Sequence, residues 1–190
     1  MIEIGVPIYQ GGEQLLPIRL SLSALLGAPM RIGQIRAQRK KPGLRPQHLT
    51  AVEAIADMTQ ADLHGATRDS TAVSLSPKDL RSGRFQFKIP TAGALTLVLQ
   101  TIFLPLSFSP GSSQVTLTGG THVPWSPTYH YLQSHWLPFM ADCGFRADMT
   151  LLRAGFYPQG GGEVRLKVLP AQQLSPYIAL ARGQLSQIRG

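Results

Sequence analysis

The sequence predicts an α+β fold built from tandem β-α-β-α-β-β repeats, in which each unit is a small sheet with helices packed on one face. Strand-like and helix-like segments follow one another in the same order twice along the 190 residues. Corresponding points also keep a constant separation, since Gly12 and Gly93 lie 81 residues apart, as do Pro46 and Pro127. With 43% hydrophobic residues, the chain has enough apolar material to bury a sizeable core.

The first unit is expected at residues 1–82. Gly27 ends its first helix, and Pro46 suits the first turn of its second helix, where proline's missing amide hydrogen is not needed. The expected elements are a strand at 2–6, a helix at 15–26, a strand at 30–36, a helix from 46 to about 58, and strands at 63–67 and 72–75.

The second unit is expected at residues 83–170. Its elements are a strand at 85–89, a helix from 91 to about 106, a strand at 114–118, a helix from about 128 to 140, and strands at 146–152 and 163–169.

Residues 171–190 are expected to begin an incomplete third unit or an insert, with strands at 174–180 and 185–188. Exposed strand edges there would allow a homo-oligomer.

Composition excludes several classes of protein. A charged fraction of only 15% excludes intrinsic disorder. The longest apolar runs, such as 95–99, are far too short to span a bilayer, and the N-terminus lacks the basic lead-in of a signal peptide. One cysteine, Cys143, excludes a disulfide framework. We therefore expect a folded, cytoplasmic protein with no membrane partner.

Positive charge is concentrated rather than spread evenly. The formal net charge is +8, and 13 of the 18 cationic residues are arginines, whose forked guanidinium suits phosphate. No acidic residue occurs between Glu13 and Glu53, or from Leu80 to Ala141. This pattern indicates either a solvated basic face or a surface for an anionic partner such as nucleic acid or a nucleotide.

The strongest local feature is a basic loop that begins at a strand end and finishes at a helix start. Arg36 and Arg39 are three residues apart and could reach one anion, with Arg45 following in the same loop. Cations facing a helix N-terminus make a phosphate pocket. His48, in the first turn of that helix, could donate to a phosphate or cap a neighbouring loop.

Other chemistry-bearing residues leave alternatives open. Gln100 lies within an apolar helix, where its amide is satisfied in the core, exposed, or turned toward a cavity. The rigid segment 124–127, Pro-Trp-Ser-Pro, either stacks on a base or orders a loop. His130 and His135 are five residues apart rather than the four of a helical zinc pair, so a metal site there is disfavoured.

Four motifs in order resemble those of the RNA 3′-terminal phosphate cyclase family, and the similarity covers essentially the whole chain. They are Arg36-Ala37-Gln38-Arg39 continuing through Lys41-Pro42-Gly43-Leu44-Arg45-Pro46-Gln47-His48-Leu49, then Thr91-Ala92-Gly93 with Thr96 to Thr101, Thr118-Gly119-Gly120-Thr121 with Ser126-Pro127, and Arg153-Ala154-Gly155 through Glu163.

The resemblance implies ATP-dependent conversion of an RNA 3′-phosphate end to a 2′,3′-cyclic phosphate. In that family a histidine takes AMP from ATP, AMP passes to the RNA phosphate, and the neighbouring 2′-hydroxyl closes the ring and releases AMP. Carried over by motif, Gln100 and Pro127 would bind ATP. The residues implied at the phosphate and RNA end are Arg36, Arg39, Arg45, Gln47 and His48.

The resemblance also implies a Mg²⁺ or Mn²⁺ ion near the first turn of the chain. The family's glutamate position is Gln10 here, a poorer ligand for such an ion, and Glu13 could substitute for it. None of the five histidines matches the family's nucleophile, which lies in a later segment. We therefore expect a truncated cyclase that is inactive alone. The alternative is a catalytically dead module that still binds RNA or nucleotide.

Overall fold

Two four-stranded sheets with the same strand order form the framework of the protein. The structure is a computed structural model that describes residues 2–3, 15–181, 183–184 and 186–187. Each sheet has a parallel pair followed by two antiparallel partners. The first runs β1-β2-β4-β3 and the second β5-β6-β8-β7. The strands are β1 (Ile2–Glu3), β2 (Met30–Ile32), β3 (Asp62–His64), β4 (Val73–Ser76), β5 (Arg84–Lys88), β6 (Ser113–Gly119), β7 (Arg146–Arg153) and β8 (Gly162–Leu169).

Alternating burial along the strands shows which face of each sheet packs inward. In β8, for example, Val164, Leu166 and Val168 are fully buried, whereas Arg165 and Lys167 point to solvent. This period-two pattern is that of a sheet with one covered and one solvated face. The covered faces of both sheets belong to a single hydrophobic core.

Helices supply the other side of that core. They are α1 (Leu15–Leu26), α2 (Pro46–Thr59), α3 (Leu95–Ser107), α4 (Tyr129–Tyr131), a π-helical stretch Leu132–Trp136, and α5 (Leu137–Asp142). The last three form one continuous helical segment. The change of hydrogen-bond register immediately precedes Pro138, which cannot donate a backbone hydrogen bond.

The third helix, α3, lies at the centre of the molecule. It contacts α1 and α2 on one side and strands β6 and β8 on the other. Its sequence is apolar on almost every face, as expected of a helix surrounded by protein. A buried hydrogen bond from the Ser21 hydroxyl to the Thr101 carbonyl, 2.6 Å long, ties α1 to it.

The predicted α+β fold of repeated strands and helices is confirmed. Three element boundaries differ from expectation by three or four residues. The strand predicted at 63–67 ends at His64. The strand predicted at 30–36 ends at Ile32, because Gln34 and Arg36 have φ of 55° and 54° and turn the chain out of the sheet. The helix predicted from Thr91 begins at Leu95, after the N-cap residue Ala94.

The strand predicted at 174–180 is wrong. Residues 171–181 carry no helix or strand, and Pro176 within them cannot donate to a ladder. The segment is held instead by isolated bonds from the Ala171 amide to the Ser107 carbonyl, 2.8 Å, and from the Ser175 amide to the Cys143 carbonyl, 3.1 Å. The strand predicted at 185–188 lies mainly outside the described residues. No helix among the described residues is both long and apolar enough to cross a membrane.

Candidate functional site

The basic loop between β2 and α2 is held at both ends by one neighbouring segment. The Ile35 amide donates to the Thr71 carbonyl at 2.9 Å, and the Leu44 amide donates to the Ser70 carbonyl at 2.9 Å. Gly43 has φ of 79°, and a Cβ there would lie 2.1 Å from the Asp69 carbonyl oxygen, so this close approach requires glycine. The loop is therefore a fixed platform for its arginines.

The three arginines predicted at the site take different positions on this loop. Arg36 and Arg45 line a cleft of about 420 Å³, whereas Arg39 lies outside its lining and is exposed. The Arg45 guanidinium pairs with the Asp69 carboxylate, which orients it. Asp57, an acid on the following helix with which Arg39 could have paired, forms its ion pair with Arg81 instead, at 2.9 Å.

The first turn of α2 contributes Gln47 and His48 to the same cleft. The His48 Nδ1 accepts a hydrogen bond from the Arg45 amide at 3.2 Å, so the buried ring caps its own helix. In neutral His48 this bond leaves the proton on Nε2. The Gln47 Oε1 accepts from the Ala94 amide at 3.0 Å, which joins the beginnings of α2 and α3.

The opposite wall comes from the loop that follows β6. The Gly120 amide donates to the Gly93 carbonyl at 2.8 Å, and the Leu95 amide donates to the Gly120 carbonyl at 3.0 Å, so this loop is anchored to the start of α3. Pro124, Trp125 and Ser126 line the cleft from that loop, and Tyr157 lines it from the β7–β8 connection.

The electrostatics of this cleft suit an anion. Two guanidinium groups line it, and so do residues at the N-termini of both α2 and α3, where backbone amides carry partial positive charge. Apart from Ser126, the remaining lining is aromatic or aliphatic. Such a mixture can hold a phosphate together with a flat apolar group attached to it.

A second cleft, of about 350 Å³, lies between α1 and α3 and contains Gln100. Gln100 is half-buried there, so the cavity alternative for its amide is the one that the structure supports. The rest of the lining is almost entirely apolar and consists of Pro17, Ile18, Ser21, Leu22, Leu25, Leu97, Leu104, Trp125 and Trp136. One amide in an apolar slot matches the chemistry of a purine base.

Pro127, the other residue implied at the nucleotide site, lines neither of these two clefts formed by described residues. Its carbonyl accepts a hydrogen bond from the Thr96 hydroxyl at 2.8 Å. Thr96 and Gln100 are four residues apart on α3 and therefore share one face of that helix. Pro127 is thus connected to the Gln100 region through α3.

The predicted metal-ligand positions, Gln10 and Glu13, lie outside the described residues. Among the residues that the structure does describe, no group of three or more histidine, cysteine, aspartate or glutamate side chains is arranged to hold a metal ion.

A histidine pair beside the cleft was missed by sequence reasoning. His122 Nε2 lies 2.9 Å from His130 Nδ1, and His122 Nδ1 lies 2.7 Å from the Thr121 hydroxyl. The His122 ring stacks on Phe156 at 5.3 Å between centroids. A separation of eight residues across a loop and a helix start gives no recognisable spacing, so only the tertiary structure reveals the pair.

The environment of His122 disfavours its charged form. Burial lowers the pKa of His122 below its ordinary value near 6.5, and the nearby His130 lowers it further. A hydrogen bond between the two rings also requires one nitrogen without a proton, so full protonation of both rings would break it. At most one ring of the pair can be charged while this bond persists.

We predict that acid destabilises the fold through His122. Below about pH 6.5, the unfolded chain binds a proton at this position more readily than the folded chain. The free energy of unfolding therefore decreases as the pH is lowered. Denaturant midpoints at pH 7.5 and pH 5.5 should therefore differ more for the wild type than for His122→Asn. The exposed His64→Asn is the matched control. An equal pH dependence in the wild type and His122→Asn would contradict the assignment.

Comparison with known proteins gives a consistent answer. The family model described as RNA 3′-terminal phosphate cyclase matches residues 8–186. The chain is 45% identical over 197 residues to an RNA 3′-terminal phosphate cyclase of Nostoc punctiforme, with all of this chain and 57% of that protein covered. It is 43% identical to that of Ignicoccus hospitalis and 44% identical to that of Hyperthermus butylicus, with 54% and 53% of those proteins covered.

The chain therefore spans a little over half the length of these curated relatives. The similarity includes every described element from α1 to β8 and the loops that form both clefts. The family model matches residues 8–186, and the similarity to these relatives extends over all of this chain. This chain therefore belongs to the RNA 3′-terminal phosphate cyclase family.

Proposed function

We propose that this chain binds the 3′-phosphate end of an RNA and ATP, as part of a cyclase that converts the terminal phosphate to a 2′,3′-cyclic phosphate. The observation that carries the proposal is the cleft in which Arg36 and Arg45 meet the N-termini of α2 and α3. A terminal phosphate carries more negative charge than a phosphodiester, so it gains most from two cations and two helix ends.

The residues predicted at the phosphate and RNA end have distinct parts in this proposal. Arg36 and Arg45 neutralise the terminal phosphate, and His48 lines the cleft beside them while its Nδ1 caps α2. Gln47 keeps the two helix N-termini together through its bond to the Ala94 amide. Arg39, exposed outside the cleft, contacts a phosphate farther along the RNA.

The Gln100 cleft is the proposed position of the ATP base. It borders the arginine cleft, because Leu97 and Trp125 line both. Two substrates held on either side of a shared wall have their phosphates close together, as transfer of AMP to an RNA phosphate requires. Pro127 does not line this cleft, so its contact with adenine stays what the family resemblance implies; its carbonyl accepts from Thr96, one helical turn from Gln100.

A Mg²⁺ or Mn²⁺ requirement and a cytoplasmic location remain expectations. The ion rests on the family resemblance, and no step of the proposal is assigned to it. The location rests on the composition and the N-terminal sequence alone. Self-association through sheet edges also stays a prediction.

The phosphate contacts should be visible in the salt dependence of binding. Affinity for a 3′-phosphorylated oligonucleotide should fall with salt, and Arg39→Ala should weaken binding and flatten that slope by about 0.7 to 1, since one phosphate contact is lost. Fluorescence anisotropy across a salt series measures both quantities. Arg165→Ala removes an exposed arginine from the outer sheet face and is the matched control.

The result that overturns this role is an unchanged slope with a lowered melting temperature. It would mean that Arg39 supports the fold through an interaction within the protein rather than a contact with RNA.

Adenylylation tests whether this chain carries a nucleophile of its own. Because none of the five histidines matches the family nucleophile, we predict that the 190-residue chain alone forms no covalent AMP adduct while still binding RNA and ATP. Incubation with labelled ATP and Mg²⁺ or Mn²⁺, followed by denaturing electrophoresis, tests this directly. A labelled band that is lost on replacing one of these histidines would contradict the prediction and show that this chain carries its own nucleophile.

A further inference from the structure

Trp125 is unusually exposed for a residue with so large an apolar side chain. It is 99% exposed, although burying an aromatic ring of this size ordinarily stabilises a protein. Its backbone has φ of 65°, a left-handed conformation that non-glycine residues rarely adopt. An exposed tryptophan on strained backbone is the kind of local cost that accumulates at binding sites.

The chain around Trp125 holds the ring outward. Pro124 precedes it and restricts the backbone, and the Ser126 hydroxyl donates to the Val123 carbonyl at 3.1 Å to close a short turn. The loop is anchored to α3 through the Gly120 bonds described above. These hydrogen bonds fix the turn that carries Trp125.

The surroundings of Trp125 identify what would cover it. It forms one wall of the cleft whose other walls hold Arg36 and Arg45, and Tyr157, 74% exposed, lines the same cleft. Arginines with exposed aromatic rings are the combination that binds single-stranded nucleic acid, the cations holding phosphates and the rings stacking on bases.

We propose that Trp125 is the platform on which the base of the RNA's 3′-terminal nucleotide stacks while its 3′-phosphate lies between Arg36 and Arg45. This assignment rests on the proposed function and adds a recognition rule to it. Every base has a π-face, so stacking on Trp125 accepts RNA ends of any sequence. The substrate class is then a 3′-phosphorylated single-stranded end that carries a base, whichever base it is.

The competing occupant is the adenine of ATP, since Trp125 also borders the Gln100 cleft. The RNA base is favoured because Trp125 shares its cleft with the two phosphate-binding arginines and with Gln47 and His48. The Gln100 cleft already has a second aromatic wall in Trp136, which is held by an edge-on contact with Phe103 at 4.7 Å.

The experiment compares two 3′-phosphorylated RNA oligonucleotides that differ only in whether the terminal ribose carries a base. Trp125→Ala should weaken binding of the intact RNA roughly 5- to 100-fold, the effect of losing one base–aromatic stack. Trp125→Phe should restore most of this loss. The abasic RNA should bind the wild type and Trp125→Ala equally. Tyr177→Ala, which removes an exposed aromatic away from both clefts, should change nothing.

Two results would overturn the assignment. If Trp125→Ala weakened the binding of the intact and the abasic RNA equally, Trp125 would be a residue that only orders its loop. Loss of ATP binding with RNA binding unchanged would make it the platform for adenine. Failure of the proposed function has a different signature, namely wild-type binding that does not change when the 3′-phosphate is removed from the intact RNA.

Discussion

The hydrogen bond from the Ala94 amide to the Gln47 side chain is the contact on which the candidate site depends. It joins the N-terminus of α2, in the first repeat of strands and helices, to that of α3, in the second. The basic loop arrives at one side of this junction and the Trp125 loop at the other. Without it, the two walls of the arginine cleft would lose the direct hydrogen bond between α2 and the start of α3.

The reason that one junction can organise the site is the position of α3. It packs on α1 and α2 as well as on β6 and β8, so both sheets share one core. Close packing of this kind fixes the position of α3, because a buried helix cannot shift without opening cavities. Gln100 and Thr96 lie on this helix, and the Gly120 loop is bonded to its start. Both clefts are therefore placed by the same rigid element.

Much of this could be predicted from the sequence, for identifiable reasons. Hydrophobic periodicity located α1 and α2 to within a residue, and a proline marked the start of α2. The basic loop was visible because five cations without an acid between β2 and α2 are a local signal. Gln100 was visible because an amide within an apolar helix is conspicuous.

The rest depends on contacts between distant residues. The bond between Gln47 and Ala94 and the pair of His122 with His130 leave no spacing signal, since tertiary structure alone brings these residues together. Arg39 lies outside the cleft that Arg36 lines because the backbone turns at Gln34 and Arg36, which have positive φ. The strand predicted at 30–36 gave no sign of this turn. The strand expected at 174–180 failed because apolar residues predict a strand only where a ladder partner exists.

The central claim is that the arginine cleft recognises a terminal phosphate rather than RNA in general. The most direct test is the affinity of the wild-type chain for one oligonucleotide carrying its single terminal phosphate at the 3′ end or at the 5′ end, at fixed salt. Net charge is then equal, so counterion release is matched. The oligonucleotide with the 3′-phosphate should bind about tenfold or more tighter, because its phosphate makes charge-assisted hydrogen bonds to the arginines. Equal affinity for the two oligonucleotides would contradict the claim.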